Sequence, residues 1–100
     1  MIKIKKDNKS LIITIMVKQI DISNMMKLKE KIIEKLDFTF SDIIFDLKKV
    51  EYIDSSGIGL IVDLYNKIRN KDKNLILKNV SADIKEILGM VNLTRFLKIE

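Results

Sequence analysis

Neither cysteine nor histidine occurs in this chain of 100 residues. Their joint absence removes disulfides, cysteine nucleophiles, thiolate or imidazole metal sites and histidine general bases. Proline is missing too, so breaks in regular structure depend on Gly, Asn, Asp and Ser. Long hydrophobic runs are also lacking. The longest, such as "LIITIMV" at residues 11–17, have strand length and fall far short of a membrane span, so no membrane insertion is expected. The opening "MIKIKKDNK" is basic but has no apolar signal core and no small-residue cleavage site. That argues against a signal peptide and makes a cytoplasmic location the expectation. Aromatics are few, and Arg69 and Arg95 are the only arginines. The net charge of +5 therefore rests on scattered lysines. Base readout leans on Arg and single-strand binding on exposed aromatics, so no nucleic-acid partner is expected. The Lys-, Ile- and Asn-heavy composition fits the coding bias of an AT-rich genome. An acidic protein partner is the other reading that the charge permits.

What is present suits one globular domain spanning residues 1–100, because apolar residues recur along almost the whole chain without an internal repeat. Residues 2–5 alternate apolar and basic, "DNK" signals a turn, and residues 11–17 are rich in β-branched side chains, which predicts an opening hairpin. Ser23 is a candidate N-cap for a helix carrying Met26, Leu28, Ile32, Ile33 and Leu36. "SDIIFDL" at residues 41–47 and "LILKNV" at 75–80 read as buried strands. Between them, Ile58, Ile61, Leu64, Tyr65 and Ile68 mark one face of a second helix. Ser81 can cap a third helix with Ile84, Ile87, Leu88 and Val91, and "RFLKIE" is long enough for a last short strand. The expected fold class is α/β in the order ββαβαβαβ: a mixed, mainly parallel sheet covered by helices, with the hairpin as an antiparallel edge.

The richest stretch is "EYIDSSGIGL" at residues 51–60, between a strand ending near residues 50–53 and the second helix. Strand ends and the helix starts that follow them are where open α/β sheets gather ligands and chemistry. Ser55 or Ser56 can cap the helix, and Gly57 and Gly59 reduce bulk in its first turns. Glycines inside a helix cost about 1 kcal/mol each relative to alanine, which suggests close packing or a partner surface. The stretch is not a Walker loop, since no Lys follows Gly59, and it lacks the third glycine of a dinucleotide fingerprint. Serine hydrolysis would need a base. Without histidine only Lys or a carboxylate remains, and Asp54 is a poor base for a hydroxyl near neutral pH. A hydroxyl modified by another protein is what is left. Phosphorylation would add about −1.5 to −2 charges at a helix start, which the dipole tolerates and which Asp54, and Asp21 if the fold brings it close, would oppose.

"DLKKVEYIDSSGIGLIVDLYNKI" at residues 46–68 resembles the signature region of STAS domains, specifically the bacterial anti-sigma factor antagonists. The family pattern is a hydrophobic strand, Asp-Ser-Ser/Thr-Gly-Leu/Ile-Gly, then an amphipathic helix. The likeness extends to the opening hairpin, the helix at residues 23–36 and the terminal "NLTRFLKI". It implies a mixed sheet with helices mainly on one side.

It also implies a non-enzymatic protein-binding switch without a cofactor of its own. Its partners would be an anti-sigma factor that is also a serine kinase of the histidine-kinase-like ATPase type, and a PP2C-type phosphatase. Ser55 falls at the phosphoacceptor position. Asp21, Asp54, Ser56, Gly57, Ile58, Gly59 and Leu60 fall at partner-binding positions, although Ile58 equally suits the core. Asp54 is either an orienter of the acceptor hydroxyl, or a contact to kinase-bound metal, or a turn carboxylate. Met25 and Met26 suit packing more than partner contact, and Lys48 and Lys49 suit a solvated turn. The family's frequent Gly-Glu-Leu-Asp after the second strand is "KQID" here, residues 18–21, which keeps only the aspartate. The competing expectation is a STAS scaffold subunit of a stress-signalling or lipid-transport assembly that is not switched by phosphate.

Overall fold

The computed structural model of the protein describes residues 1–100. The alternating N-terminus forms β1 (Ile2–Lys6) and the β-branched run forms β2 (Ser10–Ile15). The turn between them is held by Asp7, whose amide donates to Ser10 O at 2.9 Å and whose carboxylate accepts from Asn8 N at 2.7 Å. The remaining strands of the main sheet are β4 (Asp42–Asp46), β6 (Asn74–Lys78) and β7 (Lys98–Ile99). Two strands lie outside it, β3 (Gln19–Ile20) and β5 (Tyr52–Ile53). The helices are α1 (Met25–Lys35), α2 (Ser55–Arg69) and α3 (Ala82–Met90), followed by a 3-10 turn at Leu93–Arg95.

The main sheet runs β1-β2-β4-β6-β7, with β1 antiparallel to β2 and every other pair parallel. Alternation decides the faces. Leu11, Ile13 and Ile15 of β2, Ile43 and Phe45 of β4, and Leu75 and Leu77 of β6 point into one cluster of 20 buried residues. Leu28 and Ile32 of α1, Leu60, Ile61, Leu64 and Ile68 of α2, and Ile84 and Leu88 of α3 join the same cluster. All three helices thus cover one face, as the family resemblance implied. On the opposite face Ile12, Ile44 and Ile76 sit side by side in register.

The unforeseen element is a second, two-stranded parallel sheet of β3 and β5, pairing Gln19 with Tyr52 and Ile20 with Ile53. It continues the neighbouring strands β2 and β4 beyond a break in each. Lys18 O accepts from Glu51 N at 2.6 Å and Tyr52 N at 3.3 Å, which bridges the two breaks. Ser81 caps α3 as expected, accepting from Ile84 N at 3.1 Å. Ser23 does not cap α1; its hydroxyl and amide both donate to the Asp21 carboxylate, and Asn24 takes the cap position. Without proline, the tight turns rest on Asp72, Asn79 and Asn92, each with φ between 56° and 61°. Asp and Asn tolerate that left-handed region better than other residues with a side chain.

Candidate functional site

The small sheet builds the site. Ile20 and Ile53 are buried, register partners, and each is followed by an aspartate. Asp21 and Asp54 therefore leave neighbouring parallel strands side by side, at the spacing of adjacent strands, about 4.8 Å. The Asp54 amide donates back to Ile20 O at 3.2 Å and closes the pair. The signature motif and the "KQID" segment, distant in sequence, meet at one edge of the molecule.

Asp54 is the N-cap of α2: its Oδ1 accepts from Gly57 N at 3.0 Å, and its backbone carbonyl accepts from Ile58 N at 3.0 Å. The cap expected of Ser55 or Ser56 is thus supplied one residue earlier, because the carboxylate reaches the third amide of the turn. Ser55 and Ser56 become the first two residues of α2 itself. Their amides have no acceptor within the protein and lie where the helix dipole is positive. Ser55 is exposed and Ser56 half-buried, so the two hydroxyls differ in access.

Gly57 serves the fold at this spot. A Cβ there would lie 2.7 Å from Ile20 O, 3.1 Å from Ile53 Cβ and 3.2 Å from Ile20 Cβ. A side chain would collide with the small sheet that carries Asp21 and Asp54. Gly59, by contrast, stands open: a methyl group added there would meet nothing within 4 Å. Leu60 is 1% exposed and belongs to the core, a burial that stabilises by about 1.5–3 kcal/mol. Two of the expected partner-facing residues, Gly57 and Leu60, therefore face inward. A helix turns about 100° per residue, so a continuous stretch cannot share one surface. Ile58 is half-buried and packs against the core's edge.

Asp21 is held more tightly than the sequence suggests. Its carboxylate accepts from the Ser23 hydroxyl, from Ser23 N at 3.0 Å and from Gln19 Nε2 at 2.9 Å. The Ser23 hydroxyl is the main cause holding this carboxyl below its ordinary value of 3.8; desolvation opposes it, and the Ser23 and Asn24 amides and the Gln19 side chain add smaller help. Asn24 ties the loop from the other side, accepting from Asp21 N at 3.0 Å and donating to Gln19 O at 2.8 Å. Gln19 makes one of these bonds because it is an amide; a glutamate there would have no proton to donate when ionised. The sequence reading also missed an apolar surface next to this loop. Ile22 is 74% exposed and Met26 64% exposed. Met25 instead packs half-buried against the core.

A family profile described as the STAS domain matches residues 1–100. The chain belongs to the STAS domain family. Among curated relatives, an anti-sigma-B factor antagonist from Staphylococcus epidermidis is 28% identical over 75 residues, covering 75% of this chain and 69% of the relative. A crystal structure of a putative anti-sigma factor antagonist from Thermotoga maritima is 24% identical, with a TM-score of 0.85 over 98% of this chain and 84% of that one. The Bacillus cell fate determinant SpoIIAA in its phosphorylated form is 16% identical, with a TM-score of 0.70 over 100% of this chain and 91% of that one. The two structural likenesses establish the fold: a mixed, mostly parallel sheet with three helices.

Proposed function

We propose that this chain is an anti-sigma factor antagonist whose binding state is set by phosphorylation of Ser55. The observation that carries the proposal is the exposed Ser55 hydroxyl on the first residue of α2, beside two free amides and two aspartates. The likeness in sequence to a relative named anti-sigma-B factor antagonist supports the partner class. In the unphosphorylated state, the exposed Ile22 and Met26 beside the Asp21 loop, with the half-buried Ile58 and Gly59 of α2, offer apolar surface that an anti-sigma factor can cover. That factor is a serine kinase of the histidine-kinase-like ATPase type. Binding it sequesters it from a sigma factor.

In the kinase reaction the Ser55 oxygen attacks the γ-phosphorus of ATP. An O–P bond forms, the β,γ bridge breaks, ADP leaves, and the hydroxyl proton passes to a base on the kinase. The product carries about −1.5 to −2 charges where Asp21 and Asp54 already stand. The free amides and helix dipole stabilise that group within this chain, while a covering partner would have to desolvate it. Modification therefore disfavours the complex more than the free protein, which is the direction of a switch. A PP2C-type phosphatase resets it. Catalysis, ATP and Mg²⁺ belong to the partners, and no cofactor is assigned to this chain. No helix is long and apolar enough to cross a membrane. The switch proposed here acts in the cytoplasm, where the kinase finds its ATP.

The test is phosphate incorporation by a cognate kinase with ATP, read by intact mass on wild type, Ser55→Ala and Ser56→Ala. Loss of the added phosphate in Ser55→Ala alone is expected, with Ser55→Ala still binding the kinase and Ser55→Asp binding it weakly. Full modification of Ser55→Ala would overturn the site. Native purification with a transporter ATPase and no kinase would favour an unswitched scaffold instead.

A further inference from the structure

We propose that the cleft around Phe96 is a second docking site, which takes an acidic segment of a partner protein bearing large apolar side chains. It lies at the far end of α2 from Ser55. Fifteen helical residues at about 1.5 Å each separate the two by roughly 20 Å. Two hollows of about 250 and 230 Å³ adjoin there and share Tyr65, Arg69 and Phe96 as walls. Phe96 is 66% exposed, although it directly follows the 3-10 turn and precedes the buried Leu97. The final strand β7 has only two residues, so the chain does not pair with the start of β6 and leaves this side chain uncovered.

The charged residues that line the cleft have one sign. Arg69, Lys73 and Lys98 line the first hollow, and neither hollow contains a carboxylate. The protein's ion pairs are Lys29–Asp63, Lys48–Asp46 and Lys78–Glu100, so none of these three cations is matched. A nearby carboxylate, Asp42, is bonded to the lining residue Asn74 at 3.1 Å. A complementary occupant supplies acidic groups at the rim.

The shape decides between a protein segment and other anions. Each hollow alone is smaller than the roughly 300–1,000 Å³ typical of small-molecule sites, and the shared residues Tyr65, Arg69 and Phe96 divide the space between two shallow subsites. Phe96 stands between them, so an occupant places one side chain on each side of the ring. Val62, Leu93 and Leu97 line the second hollow, an environment for an aliphatic or aromatic side chain. Nucleic acid would instead need a longer cationic track with several open stacking faces, whereas this cleft offers one exposed ring, Phe96, beside the half-buried Tyr65.

The probe is a fluorescein-labelled peptide, Glu-Leu-Glu-Glu-Phe-Glu-Glu-Leu, titrated against the full chain by polarisation and by ¹H–¹⁵N correlation spectra. Controls replace every Glu by Lys, or every Leu and Phe by Ser. The expected result is shifts at Tyr65, Arg69, Phe96 and Leu97 with the acidic apolar peptide alone. Binding should weaken about tenfold in Phe96→Ala, the loss typical of an interface anchor. Arg69→Gln should weaken it and reduce its salt dependence. Phe96 is exposed, so Phe96→Ala retains the fold, and Arg69→Gln provides a second reading. Shifts elsewhere, equal binding of the Lys peptide, unchanged affinity in both variants, or stronger binding of an oligothymidine at the same residues would each overturn the proposal.

Discussion

Gly57 and Gly59 lie two residues apart in one helix and share a residue type, yet their surroundings predict opposite responses to alanine. At Gly59 the new methyl meets nothing within 4 Å. Gly59→Ala should therefore stabilise, by up to about 1 kcal/mol, through the smaller entropy loss of alanine in a helix. At Gly57 the same gain is opposed by contact at 2.7 Å with Ile20 O, a backbone atom that cannot rotate away. That carbonyl already accepts from Asp54 N, so moving it also loosens the closure of the small sheet. Overpacking of this kind costs about 1–3 kcal/mol. Because the helix term is common to both variants, their difference isolates the contact. Gly57→Ala should be less stable than Gly59→Ala by about 1–3 kcal/mol. For a domain of this size that is roughly 4–8 °C in Tm per kcal/mol. The assay is paired urea denaturation with a common slope, since an altered slope would signal a different unfolded or native ensemble. Equal midpoints for the two variants would refute the reasoning, and a more stable Gly57→Ala would reverse it.

Other expectations follow from the same neighbourhood. Asp54→Ala removes the acceptor of Gly57 N and should cost about 0.5–2 kcal/mol, whereas Asp54→Asn keeps an acceptor and should cost much less; thermal melts of both separate a cap from a purely electrostatic role. Asp21 has a folded value below its ordinary 3.8, chiefly through the Ser23 hydroxyl, so its contribution to stability is complete above that value. It is lost as the pH falls through the lower folded value. Side-chain carbon NMR should find Asp21 titrating below 3.8 and moving upward in Ser23→Ala; an ordinary titration in the wild type would contradict the hydrogen bonding described.

The strands of the main sheet and their sequence along the chain were legible because long apolar runs and alternation survive in the sequence. "SDIIFDL" and "LILKNV" could hardly be anything but buried strands, and Ser81 stands alone before a periodic segment as an obvious cap. The small sheet was not legible. Two residues in β3 and two in β5 show no period, and their pairing is visible only once β2 and β4 have set the register. That ladder is what unites Asp21 with Asp54, so the resemblance could place both residues at a site without saying how they meet. In α2 the buried stripe is displaced from the expected one. Ile58, Ile61, Leu64, Tyr65 and Ile68 fit one stripe, but the observed one is Gly57, Leu60, Ile61, Leu64 and Ile68, with Ile58 and Tyr65 on its flank. Gly57 concealed the difference, since a glycine adds no apolar weight to a stripe even when it marks the closest approach. Ser23 misled for a local reason: Asp21 captured its hydroxyl before the helix could use it.

The small sheet also bears on how the Ser55 region can be recognised. Asp21 and Asp54 come from strands that meet only after the chain has folded, and Ser55 already has helical backbone geometry. An enzyme that reads this neighbourhood therefore reads a three-dimensional epitope. A synthetic peptide copied from residues 46–68 would keep every letter of the signature yet lose Asp21, the ladder and the preformed first turn. Consensus peptides and arrays of short segments are for that reason poor stand-ins for the intact chain, and a screen built on them would miss a partner that the folded protein binds.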